Sequence, residues 1–357
     1  MIGIIYIGDI YECPFLEKYL YIFSSENQEY DIIYWNRKEY REGEGSNIFV
    51  FNNTSDCNMM KILKMKEFLK FRIYINKILK QKKYDKLVIL TTLTGVLLID
   101  KLIFDYSSKY IFDIRDLSGE KWSLFKYLEK KIIENSFFTC ISSKGFESKL
   151  PEYNNYVLSH NIRLNDLKNR VIIRNNNSNK EKINIVYIGA IRQFEHIVKF
   201  IEKIAPDKRF NLYYHGDGSD YVKLKEFCLE KQYDNVFVTG KYNNDEKKEL
   251  LLKADIINNH YDLTMNTQYC TSNKFYDGLI YKIPQLVNLN TFDGKQIRKQ
   301  ELGLEIDLNW DDINDQIYDY YMNLDFNSFV NRCEILLDEI LLEDENYINQ
   351  IYCFVKK

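Results

Sequence analysis

Short apolar runs alternate with amphipathic stretches along almost the whole chain, and that rhythm constrains the fold more than any other feature. "IGIIYIG", "YDIIYW", "SNIFVFN", "KLVILT", "KYIFDI" and "SFFTCIS" have the length and β-branched, aromatic content of buried strands. Between them, "PFLEKYLYIFSSE", a long segment near Met59 to Gln81, "TGVLLIDKLIF" and "KWSLFKYLEKKIIEN" carry helical spacing. Apolar strands alternating with helices predict parallel sheets covered on both faces. The rhythm breaks once, at "RLNDLKNRVIIRNNNSNKEK" (163–182), whose Asn-rich end has little to bury. It then restarts with "INIVYIG", "HIVKFIEKI", "FNLYYHG", "DYVKLKEFCLEKQ", "NVFVTG", "DEKKELLLKA", "DIINNH" and "QLVNL". With 357 residues, too many for one typical core, the reading is two doubly wound α/β domains. An N-terminal domain spans 1–165, a linker 166–182 and a second domain 183–325. Helices over 326–357 are expected to pack back across the domains.

Several chemistries are absent. "YIGDIYECP" and "YHGDGSDY" each fail to complete G-x-G-x-x-G, and the chain has no G-x-x-x-x-G-K-[ST] and no G-x-S-x-G. No two aspartates stand two apart, so the D-x-D pair that holds a divalent ion in single-domain glycosyltransferases is missing. The histidines, at 160, 196, 215 and 260, show no metal-site spacing, and the seven cysteines form no C-x-x-C. No metal or cofactor is expected. A net charge of −3 gives no case for nucleic acid. The apolar N-terminus reaches Asp9 quickly and reads as a strand, and the longest uncharged run, Leu87 to Ile99, is too short to span a bilayer. The cytoplasm is the expected compartment.

Ligands of open parallel sheets bind beyond the carboxyl ends of strands, so the loops there and the cleft between the halves are where function is sought. "YIGAIRQFE" puts Gly189 directly after a strand and Arg192 before a helix, as a backbone approaching a phosphate beside a charge-assisted donor requires. Gly216 and Gly218 in "YYHGDGSDY", and Thr239 and Gly240 in "FVTGKY", fit either such an approach or plain strand–helix turns. In "YCTSNKFYDGLIYKIPQLVN", Thr271, Ser272 and Asn273 read as helix-capping residues. Lys274 then faces the positive end of the helix dipole, which is unfavourable by about 0.3–1 kcal/mol. An anion at that helix end resolves the conflict: the amides of 272–274 and the Lys274 ammonium would bind it together. Asp277, one turn on, reads either as a dipole carboxylate or as an acceptor for ribose hydroxyls.

Taken together, these segments resemble the GT-B glycosyltransferases of the family 4 type, most strongly over 183–290. "HGDGSDYVKLKEF" is similar to that family's G-x-G segment. "NVFVTGKY" is similar to its base-side loop, with Gly240 and Lys241 toward the nucleobase. "TSNKFYDGLIYKIPQLVN" is similar to its donor helix, with Lys274 basic and Asp277 as ribose carboxylate. "FDIRDLSG" and "VLSHNI" resemble segments of bacterial capsule and exopolysaccharide transferases. The resemblance implies two Rossmann-like domains facing across a cleft and glycosyl transfer from a nucleotide diphosphate sugar, UDP-linked, to a lipid-linked saccharide acceptor, without metal. The chain departs from the pattern at Tyr269, which stands in place of the first of two family glutamates. It departs again at Glu195 and His196, which stand where the family has Lys-Gly. Diphosphate neutralisation then rests on Arg192 and Lys274. An inverting reaction would need a base from the first half, where Asp113 and Asp116 of "FDIRD" and Asp9 follow strands. Arg115 would pair with one of those aspartates or contact an acceptor phosphate, and His160 is expected to pack at the crossover. Two other readings stand beside transfer: a non-hydrolysing nucleotide-sugar epimerase of the same fold, and a non-catalytic nucleotide-binding or scaffold relative.

Charge is unevenly spread. Lys61 to Lys86 holds ten basic and two acidic residues, net +8, interleaved with apolar ones. That composition reads as a helix for an anionic membrane surface, which would place the protein peripherally at the inner face of the plasma membrane, or as a packed helix with a solvated basic face. Glu301 to Glu345 holds fourteen acids and one arginine, net −13, and reads as a solvated face.

Overall fold

The strands form because isoleucine, valine and aromatic residues bury on both faces of a sheet, each worth roughly 1.5–3 kcal/mol when fully covered. In the computed structural model, which describes residues 1–37, 45–53, 61–153, 155–162, 166–167, 170–171 and 181–357, they build two parallel sheets. The Asn-rich stretch 172–180 of the expected linker lies outside the described residues, as do positions 59 and 60 at the expected start of the long first-half helix. The chain divides into two compact units, 1–161 with 341–357, and 162–340.

The first unit holds β1 (Ile2–Tyr6), β2 (Tyr30–Asn36), β3 (Ile48–Asn52), β4 (Lys86–Leu90), β5 (Tyr110–Ile114), β6 (Phe138–Ile141) and β7 (Tyr156–Leu158), in the order β3-β2-β1-β4-β5-β6-β7. Its helices are α1 (Leu16–Ser25), α2 (Lys61–Lys82), α3 (Thr92–Leu97), α4 (Ile99–Phe104) and α5 (Ser123–Asn135). Where one helix was expected over 94–104 there are two, separated at Leu98, which closes α3 and opens α4. The second unit holds β8 (Ile183–Ile188), β9 (Phe210–His215), β10 (Val236–Gly240), β11 (Ile256–Asn259), β12 (Gln285–Asn288) and β13 (Gly303–Ile306), in the order β10-β9-β8-β11-β12-β13. Its helices are α6 (Phe194–Ile204), α7 (Tyr221–Lys231), α8 (Lys247–Leu252), α9 (Met265–Tyr269), α10 (Asn273–Tyr281), α11 (Phe292–Lys299) and α12 (Ile313–Met322). A last helix, α13 (Phe326–Lys356), belongs to the second unit up to Ile340 and to the first from Leu341. Its Tyr347, Ile351 and Phe354 join the core formed by β1, β2, β4, β5 and α1.

Both sheets reverse direction beside their first strand, between β1 and β4 and between β8 and β11. The carboxyl ends at such a reversal splay their loops apart and leave a crevice.

Among the buried acids of the first unit are Glu129 on α5 and Glu120 before it. Neither carboxyl has a donor among the described residues. Burial, and then Glu120 alongside, push Glu129 up to about 8 from an ordinary 4.5. The folded chain therefore keeps a proton that the unfolded chain releases, so stability is complete below pH 4.5 and declines as pH rises toward 8. Glu129→Gln is expected to remove that decline. Denaturant unfolding at pH 5 and pH 8 should show the variant gaining about 2–4 kcal/mol on wild type across the interval. Parallel profiles would show that Glu129 titrates normally.

Candidate active site

In the second unit, the crevice between β8 and β11 is lined from three directions. Tyr187 closes one wall from the end of β8, and Tyr261 follows β11 on the other. The third is α10, whose start is fastened by side chains. Ser272 caps it, its Oγ accepting the Phe275 amide at 3.1 Å and donating to Asn259 Oδ1 at 2.8 Å. The Ser272 amide donates to Asp293 Oδ2 at 3.0 Å, so of the three amides expected to face an anion this one is engaged. Those of Asn273 and Lys274 lie in the first turn, where a helix offers no acceptor. Burial pushes the Asp293 carboxyl up to about 6.

Lys274 extends from this helix start into the crevice and is only 5% exposed. Its Nζ donates to the Tyr261 hydroxyl at 2.7 Å and lies 3.9 Å from the Tyr187 ring centre and 4.5 Å from that of Tyr261. The two ring faces offer partial negative charge to the ammonium. They do not replace its lost hydration, and burial lowers the Lys274 pKa to about 7. Facing it is Gly189, at φ +130°. A Cβ there would meet nothing but the Lys274 Nζ, at 3.9 Å. Bare backbone and a poorly compensated ammonium thus share one open space.

The neighbouring loops hold Gly189 in place. The Gly189 amide donates to the His215 carbonyl at 3.0 Å, Ile191 to Asp217 at 3.0 Å, and Gly216 to Gly240 at 2.8 Å. A Cβ on Gly216 would lie 1.8 Å from the Gly189 carbonyl oxygen, and one on Gly218 2.3 Å from that of Ile191. Both glycines are therefore required by the close approach of one loop to the other. Arg192 is exposed on the same loop, and its charge acts on the Tyr187 hydroxyl. Gly240 (φ +86°) packs under the Tyr221 hydroxyl, and Lys241 beside it is exposed. Thr271 and Tyr269 are half-buried ahead of α10.

Asp277 is buried one turn below Lys274, and its Oδ1 lies 2.6 Å from Lys247 Nζ, which is itself 3.8 Å from Asp166. Lys247 and Asp293 were not singled out from the sequence. Lys247 sits in a run of charged residues typical of a surface helix, and Asp293 follows Thr291, a recognisable cap. His196 and His260 also meet, Nε2 to Nδ1 at 2.8 Å across 64 residues. Burial, then His196, lower His260 to about 3, and burial lowers His196 as well, which favours the neutral form of both rings.

This order of strands and helices has solved counterparts. A sucrose-phosphate synthase from Thermosynechococcus elongatus is similar over 99% of both chains, with a TM-score of 0.69 at 12% identity. Anabaena HepE in complex with UDP and glucose is similar over 98% of this chain and 99% of that one, with a TM-score of 0.64 at 9% identity. The lipopolysaccharide outer core galactosyltransferase WaaB has the same coverage and TM-score at 13% identity. The fold is that of the GT-B glycosyltransferases. No protein-family model matches the chain, and no curated protein does.

Within this GT-B chain the acids of the first unit differ sharply. Asp113 is fully buried and clamped by Arg115, Nε to Oδ1 at 2.5 Å and Nη2 to Oδ2 at 2.7 Å, with the Tyr19 hydroxyl donating at 2.9 Å. Asp9 is buried and accepts the Arg37 amide at 3.0 Å. Asp116 is exposed. His160 Nε2 lies 2.9 Å from Glu343, and that contact leads in holding the Glu343 carboxyl down at about 2.

The loop packing predicts a stability effect independent of any ligand. Gly216→Ala is expected to cost about 3 kcal/mol or more in denaturant unfolding, since the carbonyl it strikes is backbone and cannot swing aside. A loss below about 1 kcal/mol would mean the two loops are not packed this closely.

Proposed function

We propose that this protein transfers a sugar from a nucleotide diphosphate, a UDP-sugar, to a lipid-linked saccharide acceptor in surface polysaccharide synthesis. The carrying observation is the buried Lys274 ammonium opposite the bare backbone of Gly189 at the sheet's reversal. A diphosphate there would accept from the amides of Asn273 and Lys274, neutralise the ammonium and meet Arg192 from the exposed side. The charge that builds on the departing diphosphate would be stabilised by these fixed groups, so neither binding nor transfer is expected to change when divalent metal is chelated. Asp277 would accept ribose hydroxyls while keeping Lys247, and Gly240 and Lys241 would border the base. Asp116 is the proposed base: its carboxyl is held by no ion pair among the described residues and partial burial raises its pKa, while the carboxylates of Asp113 and Asp9 are engaged. The UDP held by HepE and the acceptor class in WaaB's name support this reading.

The acceptor side of the proposal includes a membrane surface. Among the described residues no helix is long and apolar enough to cross a bilayer. On α2, however, Met65, Leu69 and Ile73 recur every four residues and are 61%, 51% and 69% exposed. Exposed Lys66, Lys70 and Lys77 flank them, while Phe71, Ile75 and Ile78 cover the core. An apolar stripe bordered by lysines suits the headgroup region of an anionic bilayer. Flotation with phosphatidylglycerol vesicles should recover wild type and lose most of Leu69→Asn/Ile73→Asn. Equal recovery of both proteins would remove the membrane from the proposal.

Donor binding has a pH signature. The bound diphosphate requires the ammonium form of a lysine with a free value of about 7. UDP affinity is therefore expected to be highest near pH 7 and to fall, by up to about tenfold per unit, as pH rises from 7 toward the raised value that Lys274 has when UDP is bound. Lys274→Met should bind at least about tenfold more weakly and lose the slope, and Arg192→Ala should weaken binding but keep it. Calorimetric titration of the three proteins checks this. No UDP binding by wild type, or unchanged affinity in Lys274→Met, would overturn the donor site.

A further inference from the structure

A second basic cavity lies in the first unit, at the amino ends of its strands, away from the carboxyl edge where a parallel sheet presents its substrates. It has a volume of about 750 Å³ and is bordered by the end of α2, the start of β4, the 105–109 turn and the end of α13. Six of its lining residues are lysines: Lys80, Lys83, Lys86, Lys101, Lys109 and Lys357, the last over the Phe137 ring. Two are occupied: Lys86 Nζ donates to the Phe354 carbonyl at 2.6 Å, and Lys101 pairs with Asp105 at 2.8 Å. Asp85, the other acid at the rim, is taken by the Met1 ammonium at 2.7 Å. Lys80, Lys83 and Lys109 are exposed, and none has a carboxylate within ion-pair distance among the described residues. Lys83 is fixed at the rim by the left-handed turn that ends α2 (φ +50°), a position glycine ordinarily fills. The walls are apolar and aromatic, from Leu79, Tyr106, Phe137 and Phe354.

We infer that this cavity binds an organic phosphate. Three exposed lysines without an ion-pair contact among the described residues border a space of ligand size, and a phosphate oxyanion supplies an acceptor for them. The aromatic walls take the carbon portion of the same molecule. The group carrying the phosphate is either a soluble phosphate ester or the headgroup of an anionic lipid, since the cavity continues from the basic end of α2. The site is independent of the proposed donor site, which lies in the other unit.

The test uses two probes on the full chain with UDP present, so that the donor site is filled: phenyl phosphate by calorimetry, and phosphatidylcholine vesicles with and without phosphatidylglycerol by flotation. The variant is Lys80→Gln/Lys109→Gln, with Lys66→Gln/Lys70→Gln as a control on the α2 stripe. All four positions are exposed, and an unchanged unfolding midpoint verifies folding. Phenyl phosphate bound by wild type and weakened at least tenfold by Lys80→Gln/Lys109→Gln assigns a soluble ester. Binding only to phosphatidylglycerol vesicles, weakened more by that pair than by the control pair, assigns a headgroup. Binding of neither probe, or binding that Lys80→Gln/Lys109→Gln leaves unchanged, overturns the inference.

Discussion

An ammonium withdrawn from water at a helix start is costly twice over, once for lost hydration and once for facing the positive end of the dipole. Lys274 meets both costs with two tyrosine faces, one hydroxyl and the more distant charge of Asp277, which Lys247 already holds. The residues that shape its surroundings are otherwise committed. Ser272 and Asp293 fasten the helix start, Lys247 holds Asp277, and the loops after β9 and β10 brace Gly189. What the fold leaves open beside the ammonium is a volume bordered by bare backbone. A bound anion would settle an electrostatic account that the protein alone leaves unsettled, and so the proposed function is attached to this point.

The two units use one topology differently. In the second, the crevice at the sheet's reversal keeps a buried cation that Asp277 steadies only from a distance, with no carboxylate in ion-pair contact among the described residues. In the first, the buried charge on β5 is closed: Asp113 and Arg115 satisfy one another in a bidentate clamp, with Tyr19 completing the set. Buried ion pairs of this kind fix geometry more than they add stability. The clamp also leaves Asp116, outside it, as the exposed acid of that loop.

The fold was readable in the sequence because strand and helix periods are local properties. The unusual placement of Lys274 was readable for a related reason: a lysine after a Thr-Ser-Asn cap contradicts local preference, and the structure shows that lysine buried. The Asp113–Arg115 clamp was half readable. The sequence left Arg115 with either aspartate; the structure pairs it with Asp113, two positions away. The Gly216 and Gly218 readings stayed open because a turn, a ligand and a neighbouring loop all ask for glycine, and only coordinates show which one is there. His196 with His260, and Lys247 with Asp277, lie on elements brought together by the order of the sheet, and no spacing along the chain encodes them. Glu120 and Glu129 were missed because their spacing does not show which helical acids face inward.

The central claim is that Lys274 is the counter-charge of a bound diphosphate. Its most direct test is the titration of the Lys274 side chain by NMR, followed at Cε with and without UDP. The account predicts a value near 7 in the free protein and a rise of at least about one unit when UDP is bound. An ordinary lysine value in the free protein, or a value that UDP does not move, would contradict it.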